Sequence, residues 1–294
     1  MLHTKRLTKG GGVTAYDPVW EHVRREAEEV AASEPALAPL MFANVLNHSR
    51  LEPAVCHRLA QRLDHGNVNA DLIRQTFLSI VEQEPEFAAI VRADLSAVYD
   101  RDPACTRLLE PLLYFKGFHA LETYRFAHSL WRTGRRDFAL YLQSQSSMVF
   151  GIDIHPAARI GRGIMLDHGS GIVIGETAEI GDHSSLLHSV TLGGSGKEHG
   201  DRHPKVGRCV MIGAGAKILG NICVGDAARV AAGSVVLKDV PPHTTVAGVP
   251  ARVVGEAGCS QPSRMMNQLL AGTELGGPER QRTEKQAGHD ASGD

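Results

Sequence analysis

The chain is 294 residues long, 43% hydrophobic and 22% charged, with a formal net charge of −2. That length allows two domains with a real core, and the near-neutral balance excludes the bulk electrostatics of a nucleic-acid or anionic-membrane binder. No apolar run approaches the roughly 20 residues of a membrane helix, and five cysteines without a CxxC pair exclude a disulfide framework or zinc ribbon and suit a reducing cytoplasm. Residues 1–16, beginning MLHTKRLTKGGG, read as a flexible leader without the apolar centre of a secretory signal. Asp17-Pro18 then reads as an N-cap followed by proline at the first helical position. The helix runs through Trp20, Val23 and Ala27 until Glu34-Pro35 breaks it. Two short helices are predicted over 37–47 and 53–63. Asn69 is the expected cap of a helix over 71–82, with Leu72, Phe77 and Ile80 as its apolar face. Helical patterning continues over 85–99, through a denser apolar tract over 108–131, and over 137–149. Residues 17–150 are therefore expected to form an all-helical N-terminal domain.

From residue 151 to 255 the beat changes to six. Val206, Ile212, Ile218, Val224, Val230 and Val236 are β-branched aliphatics in fixed phase, and Gly207, Gly213 and Gly225 follow three of them. Fourth after each of the first five comes a small or apolar residue: Val210, Ala216, Ile222, Ala228, Ser234. The same beat runs through Ile154, Ile160 and Leu166, slips by two, and resumes at Ile174, Ile180, Leu186 and Leu192. Six fits neither a helix nor a long alternating strand. It fits short strands joined by tight corners, one aliphatic per side pointing inward, as in a parallel β-helix of hexapeptide repeats. The interruption GGSGKEHGDRHPK (193–205) is polar and glycine-rich, and is expected to leave the coil as a loop. Residues 256–294 are polar and read as a flexible tail.

Four clusters carry groups suited to chemistry: Asp153 with His155, Asp167 with His168, Asp201 with Arg202 and His203, and Arg101 with Asp102. A triangular coil takes about three sixes. Asp153 and His168, fifteen apart, are thus expected on neighbouring coils near one corner. A carboxylate beside an imidazole fixes its tautomer and stabilises the imidazolium, which makes His168 a candidate general base for a hydroxyl nucleophile. Most of the fifteen histidines must be ordinary surface residues.

The segments DPACTRLLEPLLYFKGFHALETYR (102–125), DIHPAARIGRGIMLDH (153–168), IGETAEIG (174–181), SVTLGGSGK (189–197), GDRHPK (200–205), MIGAGAKILGNI (211–222), AAGSVVL (231–237) and PPHTTVAGVPARVVG (241–255) together resemble the serine O-acetyltransferases. The resemblance covers roughly 17–255. It implies an α+β chain: a helical N-terminal domain, a left-handed parallel β-helix and a flexible C-terminal tail. It also implies acetyl transfer from acetyl-CoA to the hydroxyl of L-serine, the first step of cysteine synthesis, with acetyl-CoA as co-substrate, no permanently bound cofactor and no metal. By resemblance, His168 is the base and Asp153 orients it. Asp102 and Asp167 hold the substrate ammonium, Arg202 grips its carboxylate, and His203 is a second substrate-site histidine. Gly194, Ala214 and Ala232 let the CoA arm approach, and Arg229 meets a CoA phosphate. The same small residues are equally what tight coil corners need. Family properties further imply inhibition by L-cysteine and a homo-oligomer, a trimer or a dimer of trimers. They also include a C-terminal isoleucine that docks into O-acetylserine sulfhydrylase. This sequence ends Ser292-Gly293-Asp294, so weak or absent complex formation with that partner is expected.

Three other readings compete. His183 and His188, five apart, resemble the zinc site of a γ-class carbonic anhydrase once a third histidine comes from a neighbouring subunit, but that reading leaves Arg202 and the N-terminal matches unexplained. An acetyltransferase for a sugar or antibiotic hydroxyl is disfavoured by the helical domain and by GDRHPK. A β-helix that only assembles leaves Asp153, Asp167 and His168 without a purpose.

Overall fold

The computed structural model describes residues 16–196 and 199–270. The leader through residue 15, loop residues 197–198 and the tail beyond 270, with Ser292, Gly293 and Asp294, lie outside the described residues. Helix α1 (Pro18–Ser33) opens as its sequence predicts, with the Asp17 carboxylate accepting from Trp20 N. The chain then passes through α2 (Ala38–Met41), α3 (Leu51–Leu63) and α4 (Ala70–Gln83). Asn69 caps α4 by accepting from Leu72 N at 3.0 Å. The apolar face of α4 departs from expectation: Ile73, Phe77 and Ile80 are buried, whereas Leu72 is 49% exposed. The buried stripe is spaced i, i+4, i+7 from Ile73, and Leu72 stands one residue out of that phase. Helices α5 (Phe87–Arg101), α6 (Leu109–Leu113), α7 (Lys116–Arg132) and α8 (Arg136–Phe150) complete the helical part, and Gly151 ends α8 in the left-handed conformation.

Four coils follow. The first holds β1 (Asp153–Ile154), β2 (Arg159–Ile160) and β3 (Met165–Leu166). The second holds β4 (Val173–Ile174), β5 (Glu179–Ile180) and β6 (Ser185–Leu186). The third holds β7 (Thr191–Gly193), β8 (Lys205–Val206) and β9 (Met211–Ile212), and the fourth β10 (Lys217–Leu219), β11 (Cys223–Val224) and β12 (Arg229–Val230). Strand β13 (Val235–Val236) starts a fifth turn, which the antiparallel hairpin β14 (Thr244–Gly248) and β15 (Ala251–Glu256) closes. The coils stack into three parallel faces: β1-β4-β7-β10-β13, β2-β5-β8-β11, and β3-β6-β9-β12-β14 with β15 at its edge. Ile174 faces Leu192, eighteen residues on, and Leu192 faces Ile218, so the loop adds eight residues to the third coil. All six aliphatics from Val206 to Val236 are at most 4% exposed, each worth about 1.5–3 kcal/mol when fully buried. The glycines of the repeat answer to close stacking. A Cβ on Gly207 would stand 2.8 Å from the backbone nitrogen of Asp226, and one on Gly213 2.5 Å from that of Ala232.

Helices and coils share one core, in which Phe118, Phe126 and Phe150 join Ile152, Ile154 and Leu166. Polar ties cross the seam. Arg125 donates to Asp94 at 2.6 Å and to the Gly161 carbonyl at 2.7 Å, and Asp94 accepts from Ile164 N at 2.8 Å. Tyr124 Oη donates to the Ala158 carbonyl at 2.6 Å. Glu122 sits fully buried beside this pair. Burial, then the Asp94 charge, raises its carboxyl well above the usual range.

The chain past Glu256 is structured through residue 270, against the expectation of a flexible tail from that point. Ala257, Pro262 and Ser263 are buried, and a short helix α9 (Pro262–Met265) lies against α5. Ser263 donates to the His183 carbonyl at 2.5 Å and accepts from Ser185 Oγ through its own carbonyl at 2.9 Å. A few small groups suffice here because they fill a notch between helix and coil rather than form a core.

Candidate active site

The cleft between α5, the start of α7 and the end of β3 measures ≈ 550 Å³ and is lined by Asp102, Lys116, Asp167, His168 and Ser170 among others. Asp102 terminates α5, and its Oδ1 accepts from Ala104 N at 2.8 Å. Asp167 follows β3 directly and its side chain is 17% exposed. Burial raises the Asp167 carboxyl above the usual range. The Asp102 charge adds to that, while His168 and His188 oppose it. Two carboxylates thus face one half-dry space, an arrangement that a bound cation would relieve.

His168 stands in the left-handed region at φ 54°, on the corner leading from β3 to β4, with its side chain 75% exposed. Its Nε2 lies 3.7 Å from Asp167 Oδ1. The His188 ring meets it edge-on with 5.9 Å between centroids. Corner residues stack above one another: Ser189 N donates to the Ser170 carbonyl, Gly215 N to that of His188 and Gly233 N to that of Ala214. Ala214, half-buried, and Ala232, exposed, therefore continue up the same edge as His168. Asp153 opens β1 beside this corner, where its N–H donates to the Ile172 carbonyl. The hydrogen bond recorded for its carboxylate comes from Gln143 Nε2 at 2.7 Å.

Arg202 and His203 lie elsewhere. The loop leaves after β7, at the opposite edge of the first face, and folds back over the turn between β4 and β5. Arg202 Nη2 donates to Glu176 at 2.7 Å, and the backbone nitrogens of Arg202 and His203 both donate to Thr177 Oγ1, at 3.0 and 3.1 Å. The hydrogen bond to Arg202 holds the Glu176 carboxyl below its ordinary range. Gly194 belongs to this edge: a Cβ there would meet Arg202 Cγ at 3.4 Å, an ordinary contact. One chain therefore brings Asp102, Asp167 and His168 together, and sets Arg202, His203 and Gly194 apart from them by the width of a face.

A family model described as "Serine acetyltransferase, N-terminal" matches residues 19–123. The serine acetyltransferase of Salmonella typhimurium is 54% identical over 254 residues, covering 86% of this chain and 93% of that protein. The chain belongs to the serine acetyltransferase family. A Brucella abortus serine acetyltransferase solved in complex with coenzyme A is 57% identical with a TM-score of 0.83, and covers 84% of this chain and 99% of its own. A serine acetyltransferase solved in complex with cysteine is 49% identical with a TM-score of 0.84, over 86% of this chain and 98% of that one. The helical part followed by a left-handed parallel β-helix is the architecture of these relatives.

Three placements extend or amend the sequence reading of this acetyltransferase site. Arg229, expected at a CoA phosphate, is 7% exposed and donates to the carbonyls of Asn267 and Leu269 at 3.1 and 2.9 Å. The segment read as flexible lies on it. His183 and His188, the pair of the zinc reading, stand at the two ends of β6, on different corners, and do not converge on one point of this chain. Gly117, to which the sequence analysis gave no role, seats the first turn of α7 on β3. A Cβ there would come within 1.9 Å of the Leu166 carbonyl oxygen. Its signal in the sequence was a lone glycine inside the apolar tract LLYFKGFHA.

Proposed function

We propose that this chain transfers the acetyl group of acetyl-CoA to the hydroxyl of L-serine, giving O-acetyl-L-serine and CoA. The carrying observation is a base-capable histidine, His168, beside two carboxylates that face one cleft, in a chain of this family. The serine ammonium sits between Asp102 and Asp167, where it offsets their repulsion. His168 takes the hydroxyl proton as the oxygen attacks the thioester carbonyl. When the C–S bond breaks, the proton passes from His168 to the CoA sulfur. Asp153 orients His168 and stabilises the imidazolium once it has taken the proton. The CoA arm runs along the edge bearing Ala214 and Ala232, and Gly194, on the loop edge, meets it only from a second copy. Transfer is direct. Cys105 borders the neighbouring groove, but burial and then Glu110 push its thiol up to about 12, so it is a poor nucleophile near neutral pH.

Arg202 and His203 grip the substrate carboxylate. Since they stand across the first face from His168, the complete site takes them from a second copy. This supports a homo-oligomer, a trimer or two trimers joined through the helical parts. L-Cysteine shares the ammonium and carboxylate of serine and inhibits by occupying the same groups, and a relative was solved with cysteine bound. Five free cysteines support a reducing compartment, the cytoplasm. Among the described residues no helix is long and apolar enough to cross a membrane.

The test is thiol release from acetyl-CoA with L-serine, for wild type and His168→Ala. Serine-dependent release that falls by about two decades or more in the variant supports the reaction and its base together. Release unaffected by the variant removes the base assignment. No serine-dependent release overturns the proposal.

A further inference from the structure

The segment Gly175-Glu176-Thr177 lies under the Arg202–His203 pair, and its contacts go beyond holding a loop in place. His203 is 7% exposed. Its Nδ1 accepts from the Thr177 backbone nitrogen at 3.2 Å and lies 2.9 Å from Thr177 Oγ1. That hydroxyl oxygen already accepts from the backbone nitrogens of Arg202 and His203, and its one hydrogen has two acceptors within reach, Nδ1 and the Asp201 carboxylate, so the Thr177 backbone N–H decides the state of Nδ1. A backbone N–H can only donate. Nδ1 must therefore carry a lone pair, and the neutral ring keeps its one proton on Nε2. Among the described residues no hydrogen-bond partner meets Nε2. The ring occupies space that only glycine leaves open: a Cβ on Gly175 would fall 2.0 Å from both Cδ2 and Nε2. Burial, followed by the Arg202 charge, lowers the imidazolium pKa and favours the neutral ring.

We propose that Thr177 and Gly175 are positioning residues for substrate binding: Thr177 fixes His203 as its Nε2–H tautomer, Gly175 vacates the seat for its ring, and the ring presents one N–H donor to the substrate carboxylate beside the Arg202 guanidinium. The proposal rests on the reading of Arg202 and His203 as the carboxylate clamp. A neutral donor next to a fixed cation discriminates by hydrogen-bond geometry, since a site built around a fixed donor rejects groups that cannot accept from it. Thr177 acts through His203 and touches no substrate atom.

Two measurements on the full-length protein test this. In long-range ¹H–¹⁵N correlation spectra with labelled histidine at neutral pH, the His203 signals are assigned by their loss in His203→Gln. A non-protonated Nδ1 and a protonated Nε2 are expected, and a protonated Nδ1 overturns the proposal whatever the kinetics show. In steady-state assays, Thr177→Val is expected to raise KM for L-serine about tenfold, the effect of one lost charge-assisted hydrogen bond. KM for acetyl-CoA should stay within about twofold, and Thr177→Ser should restore the serine KM. A Thr177→Val enzyme with unchanged serine KM, alongside a His203→Ala enzyme with a raised one, sinks the positioning role and spares the clamp. An unchanged serine KM in His203→Ala sinks the clamp itself, and the spectrum still decides the tautomer. Should Thr177→Val not fold, the wild-type spectrum and Thr177→Ser decide.

Discussion

The two edges of the first β-helix face are built in opposite ways. On the loop edge the pair is held on all sides but one: Glu176 holds Arg202, Thr177 holds both backbones and the His203 ring, and among the described residues His203 Nε2 is left for a substrate. On the cleft edge little is settled. His168 is largely exposed, and Asp102 and Asp167 repel across a space that no side chain fills. A set of groups that satisfies itself is preorganised and needs only to be brought into place. A set under electrostatic strain is completed by what it binds. The difference shows where binding free energy enters, namely at the cleft, where an ammonium relieves like-charge repulsion. Recognition by the loop edge is prepared in advance, so little reordering cost falls on it.

The sharpest way to break the comparison is to remove what holds the cleft edge to the helices. Arg125 bridges Asp94 and the first coil from inside the seam, with both side chains almost fully buried. Arg125→Met leaves Asp94 charged and unpaired in a dry interior, a change that costs about 3–5 kcal/mol. A fall in the thermal midpoint of many degrees is expected, with loss of the cleft before the coils. An unchanged midpoint would mean that the seam carries no such weight.

Gly117→Ala acts on the same edge with a smaller effect. The added methyl meets a backbone oxygen, which cannot rotate away, so α7 or the end of β3 must shift. Overpacking of this kind costs about 1–3 kcal/mol, and a shift of the Asp167–His168 corner lowers kcat further, because positioning errors of about 1 Å cost on the order of a hundredfold. Assays of kcat and thermal unfolding on the one variant check both. Full activity would show that the corner tolerates the displacement.

How much of this was legible follows the range of each interaction. The six-residue beat was legible because every coil repeats the same burial, and the caps Asp17 and Asn69 were legible because a cap acts within three residues. The phase of α4 was misread by one residue at Leu72, because an isolated leucine beside the stripe looks the same in sequence as one inside it. Thr177 and His203 are joined across one coil plus the loop excursion, and no local pattern signals a partner at that distance. The placement of Arg229 depends on a polar segment that packs by shape, with few apolar residues to announce it. Motif likeness named the charged residues of the site, but it did not separate the two edges on which they stand.

The finest test leaves the fold alone and removes one charge from the cleft. In Asp102→Asn the ammonium loses one of its two carboxylates, and KM for L-serine should rise about tenfold or more. The pH dependence gives the sign. Asp167 must be ionised to hold an ammonium, and burial with the Asp102 charge raises its pKa. Serine kcat/KM therefore falls as pH drops through that raised value. With Asp102 neutral, one cause of the rise is gone, so the acid limb moves to lower pH even as the plateau falls. Stability moves the other way. An acid whose folded pKa is raised contributes stability only at low pH and loses it as pH climbs through that pKa, so relief of the repulsion should raise the thermal midpoint of Asp102→Asn near neutral pH. Weaker binding with a firmer fold is what a cleft strained for its ligand predicts. A variant that lost stability along with affinity would instead make Asp102 a structural residue of the α5 terminus, and the contrast between the two edges would fail.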